Sequence, residues 1–275
     1  MKEQIEFYKM TGGGNDFILI DNREGRIDVD ALRPAVPQLC RRKLSVGADG
    51  VIVLEQSESA NVHFRWHFFN ADGSEAEMCG NGGRCAARLA HLLGMAPADL
   101  SFETAAGLIR AQVKGEVVKL LLPPPSDMRL GITLPIGEEE ISVDFINTGV
   151  PHTVIFVPDL EEADVVGLGK KIRFHEAFQP AGTNADFIQV RDSIIQIRTY
   201  ERGVEDETLA CGTGAVAAAL IAGLRGLAVS PTTVIPRSGE ALTIYYEGTN
   251  KIREVFLEGE VRMIYHGWLE EDALS

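Results

Sequence analysis

The chain is poor in positive charge, poor in cysteine and without a long apolar run. Lys and Arg number 26 against 40 Asp and Glu, a formal net charge of −14 over 275 residues. Nucleic-acid binding draws its affinity from neutralised phosphates, so this balance argues against a nucleic-acid partner. The four cysteines, Cys40, Cys79, Cys85 and Cys211, are too sparse for a disulfide framework. A reducing, cytoplasmic setting is expected. No cysteine pair has zinc-knuckle spacing and no histidine pair falls on one helical face, so no metal site is expected. The longest apolar run, residues 214–224, falls short of the roughly 20 residues a membrane-spanning helix needs and reads as a buried helix. The start, Met1-Lys2-Glu3-Gln4-Ile5-Glu6, lacks the apolar centre of a signal peptide. No membrane partner is expected.

What is present is a device used twice. Cys79 sits in Met78-Cys79-Gly80-Asn81-Gly82-Gly83, and Cys211 in Ala210-Cys211-Gly212-Thr213-Gly214-Ala215. Each cysteine precedes Gly-polar-Gly and an Ala/Leu-rich stretch. The pattern predicts helices over 81–93, closed by Gly94, and over 212–224, each with a thiol at its N-terminus. Unpaired N–H groups and the helix dipole favour a thiolate there. Cys40 and Cys85 lack these flanks and are read as small buried hydrophobes.

The rest of the chain is strand-rich. Segments 5–10, 17–21, 51–54, 62–69, 108–113 and 117–122 carry β-branched and aromatic residues, as do 141–147, 153–157, 187–190, 194–200, 232–235, 242–246, 255–257 and 261–265. A helix over 29–44 is expected, its start limited by Pro34 and Pro37. Pro123-Pro124-Pro125 marks a linker. Gly14-Asn15-Asp16-Phe17-Ile18 is echoed by Thr183-Asn184-Ala185-Asp186-Phe187-Ile188. Together with the cysteine motifs, this predicts two similar α/β halves with a ligand site between them. Gly212-Thr213-Gly214 with Ala217 mimics a dinucleotide fingerprint. It lacks the strand immediately before it and the acidic residue about 20 positions later.

Two thiols at helix starts fit one chemistry well. The α-proton of an amino acid is weakly acidic, so its removal needs a placed base and a preorganised environment. A thiolate on one face and a thiol on the other invert the centre, with no metal and no pyridoxal cofactor. The helix starts can hold the α-carboxylate. His152 and Glu201 can set the thiols' protonation, and Arg202 can pair with a second carboxylate. Asn15, Asn70, Asn81 and Asn184 can donate and accept, which suits an ammonium-plus-carboxylate ligand.

At these residues the sequence resembles the diaminopimelate epimerase family. The matching blocks are Gly13-Gly14-Asn15-Asp16-Phe17, Gly47-Ala48-Asp49-Gly50, the run from Asn70 through Glu77-Met78-Cys79-Gly80-Asn81-Gly82, Pro151-His152, Gly182-Thr183-Asn184, and Tyr200-Glu201-Arg202-Gly203 through Cys211-Gly212-Thr213-Gly214. The resemblance implies cofactor-independent conversion of LL- to meso-diaminopimelate, in lysine and cell-wall precursor synthesis. Cys79 and Cys211 would be the acid/base pair, and Asn15, Asn70 and Asn184 substrate contacts. Gly80-Asn81 and Gly212-Thr213 would cradle the reacting carboxylate. Glu201 and Arg202 would hold the distal end, with His152 and Glu201 tuning the thiols. The implied fold is α+β: two pseudo-symmetric halves, each a curved, mainly antiparallel sheet or barrel around a central helix, with the active site in the cleft. The halves would be 1–122, completed by 264–275, and 123–263, in a homodimer. Gly50 and Val150 depart from Gln and Asn found in some members. Two other readings remain open: another cofactor-independent racemase or isomerase of the same fold, or a thiol redox sensor. A proline-type racemase would carry His where this chain has Asn81.

Overall fold

Backbone contacts in the computed structural model divide the chain into two units, residues 1–120 with 259–275, and residues 121–258. The structure describes residues 4–76, 78–248 and 252–274, so Glu77 of the first cysteine motif lies outside the described residues. The first unit opens with β1 (Ile5–Gly12) and β2 (Asn15–Asp21). Gly13 and Gly14 join them, both at positive φ (63° and 87°), as a two-residue turn that follows strand twist requires. The single helix expected over 29–44 is instead two short ones, α1 (Val29–Leu32) and α2 (Val36–Leu39), with a 3-10 turn between. Pro34 and Pro37 each stand at the start of a new turn, where a missing N–H costs nothing. Then come β3 (Gly50–Glu55), β4 (Phe64–Asn70), α3 (Gly80–Leu92), β5 (Asp99–Thr104), β6 (Gly107–Lys114) and β7 (Val117–Leu122).

The second unit holds β8 (Ser126–Ile136), β9 (Glu139–Asn147), β10 (Pro151–Phe156), α4 (Val165–Arg173), β11 (Asn184–Arg191), β12 (Ile194–Glu201) and β13 (Asp206–Thr208). It continues with α5 (Gly212–Leu224), β14 (Thr232–Ile235), β15 (Leu242–Tyr246) and β16 (Val255–Glu260). The last strand, β17 (Arg262–Leu269), returns to the first unit and pairs with β1.

Both units pair their strands in one pattern. In the first, β17–β1 and β1–β2 are antiparallel, β2–β3 parallel, β3–β4 antiparallel, β4–β5 parallel and β5–β6 antiparallel. In the second, β8–β9 and β9–β10 are antiparallel, β10–β11 parallel, β11–β12 antiparallel, β12–β14 parallel and β14–β15 antiparallel. Parallel neighbours need a crossover, and helices supply it at matching places: α1 and α2 against α4, and α3 against α5. The fold is therefore α+β, with two pseudo-symmetric halves.

This pairing corrects one part of the sequence repeat. β2 corresponds to β10 and β3 to β11, so Asn15, at the start of β2, is not the counterpart of Asn184. Gly50 faces Phe17 across β2–β3, and Asn184 faces His152 across β10–β11. Asn184 thus stands where Gly50 stands. Asn70 and Glu201, the last residues of β4 and β12, are likewise equivalent. A short echo of Asn, Asp, Phe and Ile with unequal spacing could not report this, because a polar turn followed by apolar residues opens more than one strand of such a sheet.

The central helices are near-copies. Each has 13 residues, an extended cysteine as N-cap (Cys79 φ −143°, Cys211 φ −125°), and a buried majority. Each ends in a glycine at positive φ, Gly94 or Gly226. Met95 N–H reaches Ala90 O at 2.8 Å and Leu227 N–H reaches Ala222 O at 2.8 Å, the 6→1 bond of a Schellman cap. Small residues let both helices run close to the strands. α5 is apolar all round, as a helix enclosed by sheet must be, with residues 214–222 buried. α3 is not, and carries a fully buried Arg84.

Candidate active site

Cys79 is half-buried at the start of α3. Its carbonyl accepts the first helical bond from Gly83 N–H (2.8 Å), and its Sγ accepts from Gly82 N–H at 3.5 Å. The thiol sulfur therefore faces the donor end of the helix, where negative charge is favoured. Beside it runs a directed chain of side chains. Arg84 Nη2 donates to Asn81 Oδ1 (2.7 Å), Asn81 Nδ2 donates to Asn15 Oδ1 (2.8 Å) and Gly13 O (3.3 Å), and Asn15 Nδ2 donates to Asp49 Oδ2 (2.9 Å). A guanidinium can only donate and a carboxylate can only accept, so the two ends fix both amide orientations. Asn81 has no amide hydrogen left over, and what it can offer a ligand is its backbone N–H.

The acidic end of that chain is itself neutralised. Arg42 bonds Asp49 (2.8 Å) and both oxygens of Asp16, and Lys9 Nζ lies 2.7 Å from Asp16 Oδ2. Burial pushes the Asp16 carboxyl up, but the bonds from Arg42 and Lys9 outweigh it and hold the group below its ordinary range. Asn70 lies apart from this chain and donates to Ser74 Oγ at 3.0 Å. It faces Gly50 across β3–β4. A Cβ at Gly50 would stand 2.6 Å from Phe69 O and 2.7 Å from the Phe68 ring. No larger residue, the Gln of some family members included, fits there without a shift of the neighbouring strand.

Cys211 repeats the backbone device in different company. Its carbonyl accepts from Ala215 N–H (2.9 Å), but its Sγ faces Thr213 Oγ1 at 3.5 Å. Thr213 Oγ1 also lies 3.0 Å from His152 Nε2, while His152 Nδ1 lies 2.7 Å from Asp186 Oδ2. Thr199 Oγ1 donates to the other oxygen, Asp186 Oδ1, at 2.7 Å, and Thr148 Oγ1 donates to Thr213 O at 3.0 Å. His152 and Asp186 are both fully buried. Gly214 is needed because a Cβ there would stand 2.6 Å from Asp186 Oδ1. Burial, reinforced by the charges of Glu201 and Asp186, pushes the Cys211 thiol well above its ordinary pKa, and the Thr213 bond only partly opposes this. Burial likewise raises Glu201, against the opposing charge of the nearby His152.

Asn184 and Arg202 form one clamp. Asn184 Nδ2 donates to Pro151 O (2.9 Å), Arg202 N–H donates to Asn184 Oδ1 (2.7 Å), and Arg202 Nη1 donates to Ala181 O (3.0 Å). The guanidinium keeps donors beyond that bond. The residues expected from sequence thus gather into two groups: Cys79, Gly80, Asn81 and Asn15 in the first unit, and Cys211, Gly212, Thr213, His152, Asn184, Glu201 and Arg202 in the second. The sequence reading missed Asp49, Arg42 and Arg84 in the first and Asp186, Thr199 and Thr148 in the second. Asp186 was within reach. It lies two residues after Asn184 on a strand, hence on the same face, inside a motif already singled out. Among the described residues, no group of three or more His, Cys, Asp and Glu is arranged to hold a metal ion, and no helix is long and apolar enough to cross a membrane.

Solved structures share this architecture. A PhzF-family phenazine biosynthesis protein of Bacillus anthracis matches with TM-score 0.72 at 15% identity, over 98% of this chain and 99% of that one. A hydroxyproline epimerase of Agrobacterium vitis matches with TM-score 0.72 at 18% identity, over 100% and 93%. At such identities they share the fold. Sequence goes further. The diaminopimelate epimerase of Aquifex aeolicus is 47% identical, over 98% of this chain and all of that protein. That of Chlorobaculum tepidum is 43% identical, over 94% and 98%. The family model for diaminopimelate epimerase matches residues 7–122 and 145–264. The chain belongs to the diaminopimelate epimerase family, a family of isomerases.

Proposed function

We propose that this chain converts LL-2,6-diaminopimelate to the meso form, for lysine and cell-wall precursor synthesis, by moving one α-proton between Cys79 and Cys211. The observation that carries this reading is the equivalence of the two thiols: each is the extended N-cap of the central helix in its own unit. One thiol as thiolate removes the α-proton, and the other, as thiol, returns a proton to the opposite face. The two then exchange protonation states. Burial and nearby carboxylates keep Cys211 protonated in the free chain. It is therefore the first donor, and Cys79, facing Gly82 N–H, the first base. N–H groups at the starts of α3 and α5, among them those of Gly80, Asn81, Gly212 and Thr213, take the α-carboxylate and the charge that develops on it. Asn15, Asn70 and Asn184 contact the substrate, and Arg202 with Glu201 takes the distal amino-acid end. His152 and Glu201 tune the thiols. The chemistry needs no metal and no pyridoxal cofactor, and the protein acts in the cytoplasm as a homodimer.

The test is proton NMR in D2O with reduced protein, LL-diaminopimelate, a chelator and no pyridoxal phosphate. Deuterium at one α-carbon together with meso product is expected. Absence of both, with a folded chain, rejects the substrate and the mechanism.

A further inference from the structure

The first-unit cysteine accepts from a backbone N–H, that of Gly82. The second has a line of side chains whose donors and acceptors have one consistent order. Asp186 accepts at both oxygens: Thr199 occupies Oδ1, so Oδ2 faces His152 Nδ1 as an acceptor. An ionised carboxylate has no proton to give, so Nδ1 must carry the hydrogen. In the neutral ring Nε2 is then a lone pair. The hydroxyl 3.0 Å away, Thr213 Oγ1, must donate to it. That commits the one hydroxyl proton, and Thr213 can meet Cys211 Sγ, at 3.5 Å, only as an acceptor of the S–H. The direction of every bond follows from the carboxylate at the far end.

We propose that Asp186 is a positioning residue that fixes the tautomer of His152 and so turns Cys211, Thr213 and His152 into a proton relay. The relay step is balanced. The S–H bond of Cys211 breaks and its proton joins Thr213 Oγ1, while the original hydroxyl proton of Thr213 joins His152 Nε2. The products are a Cys211 thiolate, an intact threonine hydroxyl and an imidazolium paired with Asp186. The reverse step restores the thiol. A buried thiol that is neutral at rest thereby reaches the state in which it is the base, without solvent water at the sulfur. The titratable groups facing Cys211 are His152 on β10, Asp186 on β11 and Glu201 on β12. Of these, His152 alone is in line to take the proton through Thr213. The idea rests on Cys211 being an acid/base residue, but the bond order can be read without turnover.

Two views of Asp186 make opposite predictions. If it were only a nearby negative charge, Asp186→Asn would favour the thiolate, and Cys211 would react faster. If it orients the relay, the new amide keeps its oxygen toward Thr199 and turns its NH2 toward His152 Nδ1. The ring then adopts the Nε2–H form, its bond to Thr213 reverses, and the imidazolium loses its counter-charge. The experiment uses the full chain with Cys79→Ser, ¹⁵N-labelled histidine and neutral iodoacetamide, with alkylation at Cys211 followed by mass spectrometry. The His152 resonance is assigned by its loss in His152→Gln. In the parent, neutral His152 is expected as the Nδ1–H tautomer. Asp186→Asn should switch it to Nε2–H, slow alkylation of Cys211 at pH 7 at least tenfold, and move its onset to higher pH. Thr213→Val should slow it similarly, and Thr213→Ser, which keeps the hydroxyl, should not. An Nε2–H tautomer in the parent overturns the relay, and so does faster or unchanged alkylation in Asp186→Asn. If Asp186→Asn does not fold, equal rates in Thr213→Val and Thr213→Ser overturn it. Failure of the epimerase reading would look different, as missing α-deuteration in the unsubstituted chain with these tautomers intact.

Discussion

The neighbourhoods of Cys79 and Cys211 share a backbone and differ in the described side chains set around it. Both cysteines cap 13-residue helices with the same Schellman ending. Around Cys79 the polar groups form an amide chain pinned between Arg84 and Asp49, and none of its interior members titrates near neutral pH. Around Cys211 the groups are His152, Asp186 and Glu201, all titratable, with two threonine hydroxyls bridging them. Among the described residues, the side-chain line beside Cys79 is joined through amides, and the line beside Cys211 through a histidine and hydroxyls. Duplicated folds can divide work in this way, because the helix start supplies the anion site in both units and leaves the side chains free to diverge.

Removing either thiol tests the shared part of that comparison and has the largest expected effect. Cys79→Ala and Cys211→Ala should each lower epimerisation by at least about 10³-fold, the order expected for loss of a general acid or base. Melting temperatures should stay within a few degrees, since the cap carbonyls of residues 79 and 211 still accept from Gly83 and Ala215 N–H and only the long Sγ contact with Gly82 N–H is lost from α3. Wild-type-like turnover in either variant would end the two-thiol mechanism.

Exchanging the equivalent residues Gly50 and Asn184 tests the divergent part. Gly50→Asn places atoms where Phe69 O and the Phe68 ring stand. It should destabilise the first unit by about 1–3 kcal/mol in urea unfolding, as overpacking does. Asn184→Gly removes the partners of Pro151 O and of Arg202 N–H. It should cost a similar amount, about 1–3 kcal/mol, by the opposite route of unsatisfied buried groups. If both exchanges were neutral, the two positions would not be held by these contacts.

A smaller effect separates the thiols by reactivity. Cys79 is half-buried and Cys211 is buried among carboxylates, so iodoacetamide at pH 7.5 should label Cys79 first, by about tenfold or more. Glu201→Gln removes a negative charge that raises the Cys211 pKa. It should speed labelling of Cys211 and leave Cys79 unchanged. Equal labelling of the two in the parent chain would contradict the asymmetry.

The cysteine motifs, both central helices and most strands were legible in the sequence, because each has a local cause: a cap residue, a closing glycine, or an apolar alternation. β8 was not, since most of its residues are exposed and only Ile132, Leu134 and Ile136, near its end, face the core. β5 and α4 are short and mixed in composition. The break of residues 29–44 came from two prolines whose effect on the start was foreseen and whose effect on continuity was not. In the site, residues inside glycine-flanked motifs stood out. Arg42 and Thr199 did not, because an arginine in a loop or a threonine in a strand has no local signal. Their importance comes from what the fold places opposite them.

The smallest expected effect is on stability at high pH, and it separates a core thiol from one proposed for the active site. Cys40 sits in the first unit's core with Leu39 and Val36, and burial pushes its pKa up from about 9 to about 11. Cys211 is raised by burial and by two carboxylates. For both, the folded state favours the neutral thiol. The unfolded chain begins to release the proton near pH 9, while the folded chain holds it, so folding stability is complete below pH 9 and declines above it. For Cys40 the decline should end near pH 11, and for Cys211 it should continue beyond. Each thiol contributes a slope of at most about 1.4 kcal/mol per pH unit. Urea midpoints between pH 8 and 10.5 should therefore fall less steeply in Cys40→Ala and in Cys211→Ala than in the parent. Adding Glu201→Gln should make the parent's decline shallower, because Cys211 then titrates nearer its unfolded value, while the Cys40 share stays the same. A parent slope unchanged by all three substitutions would mean that other groups, the tyrosines foremost, set the alkaline limit.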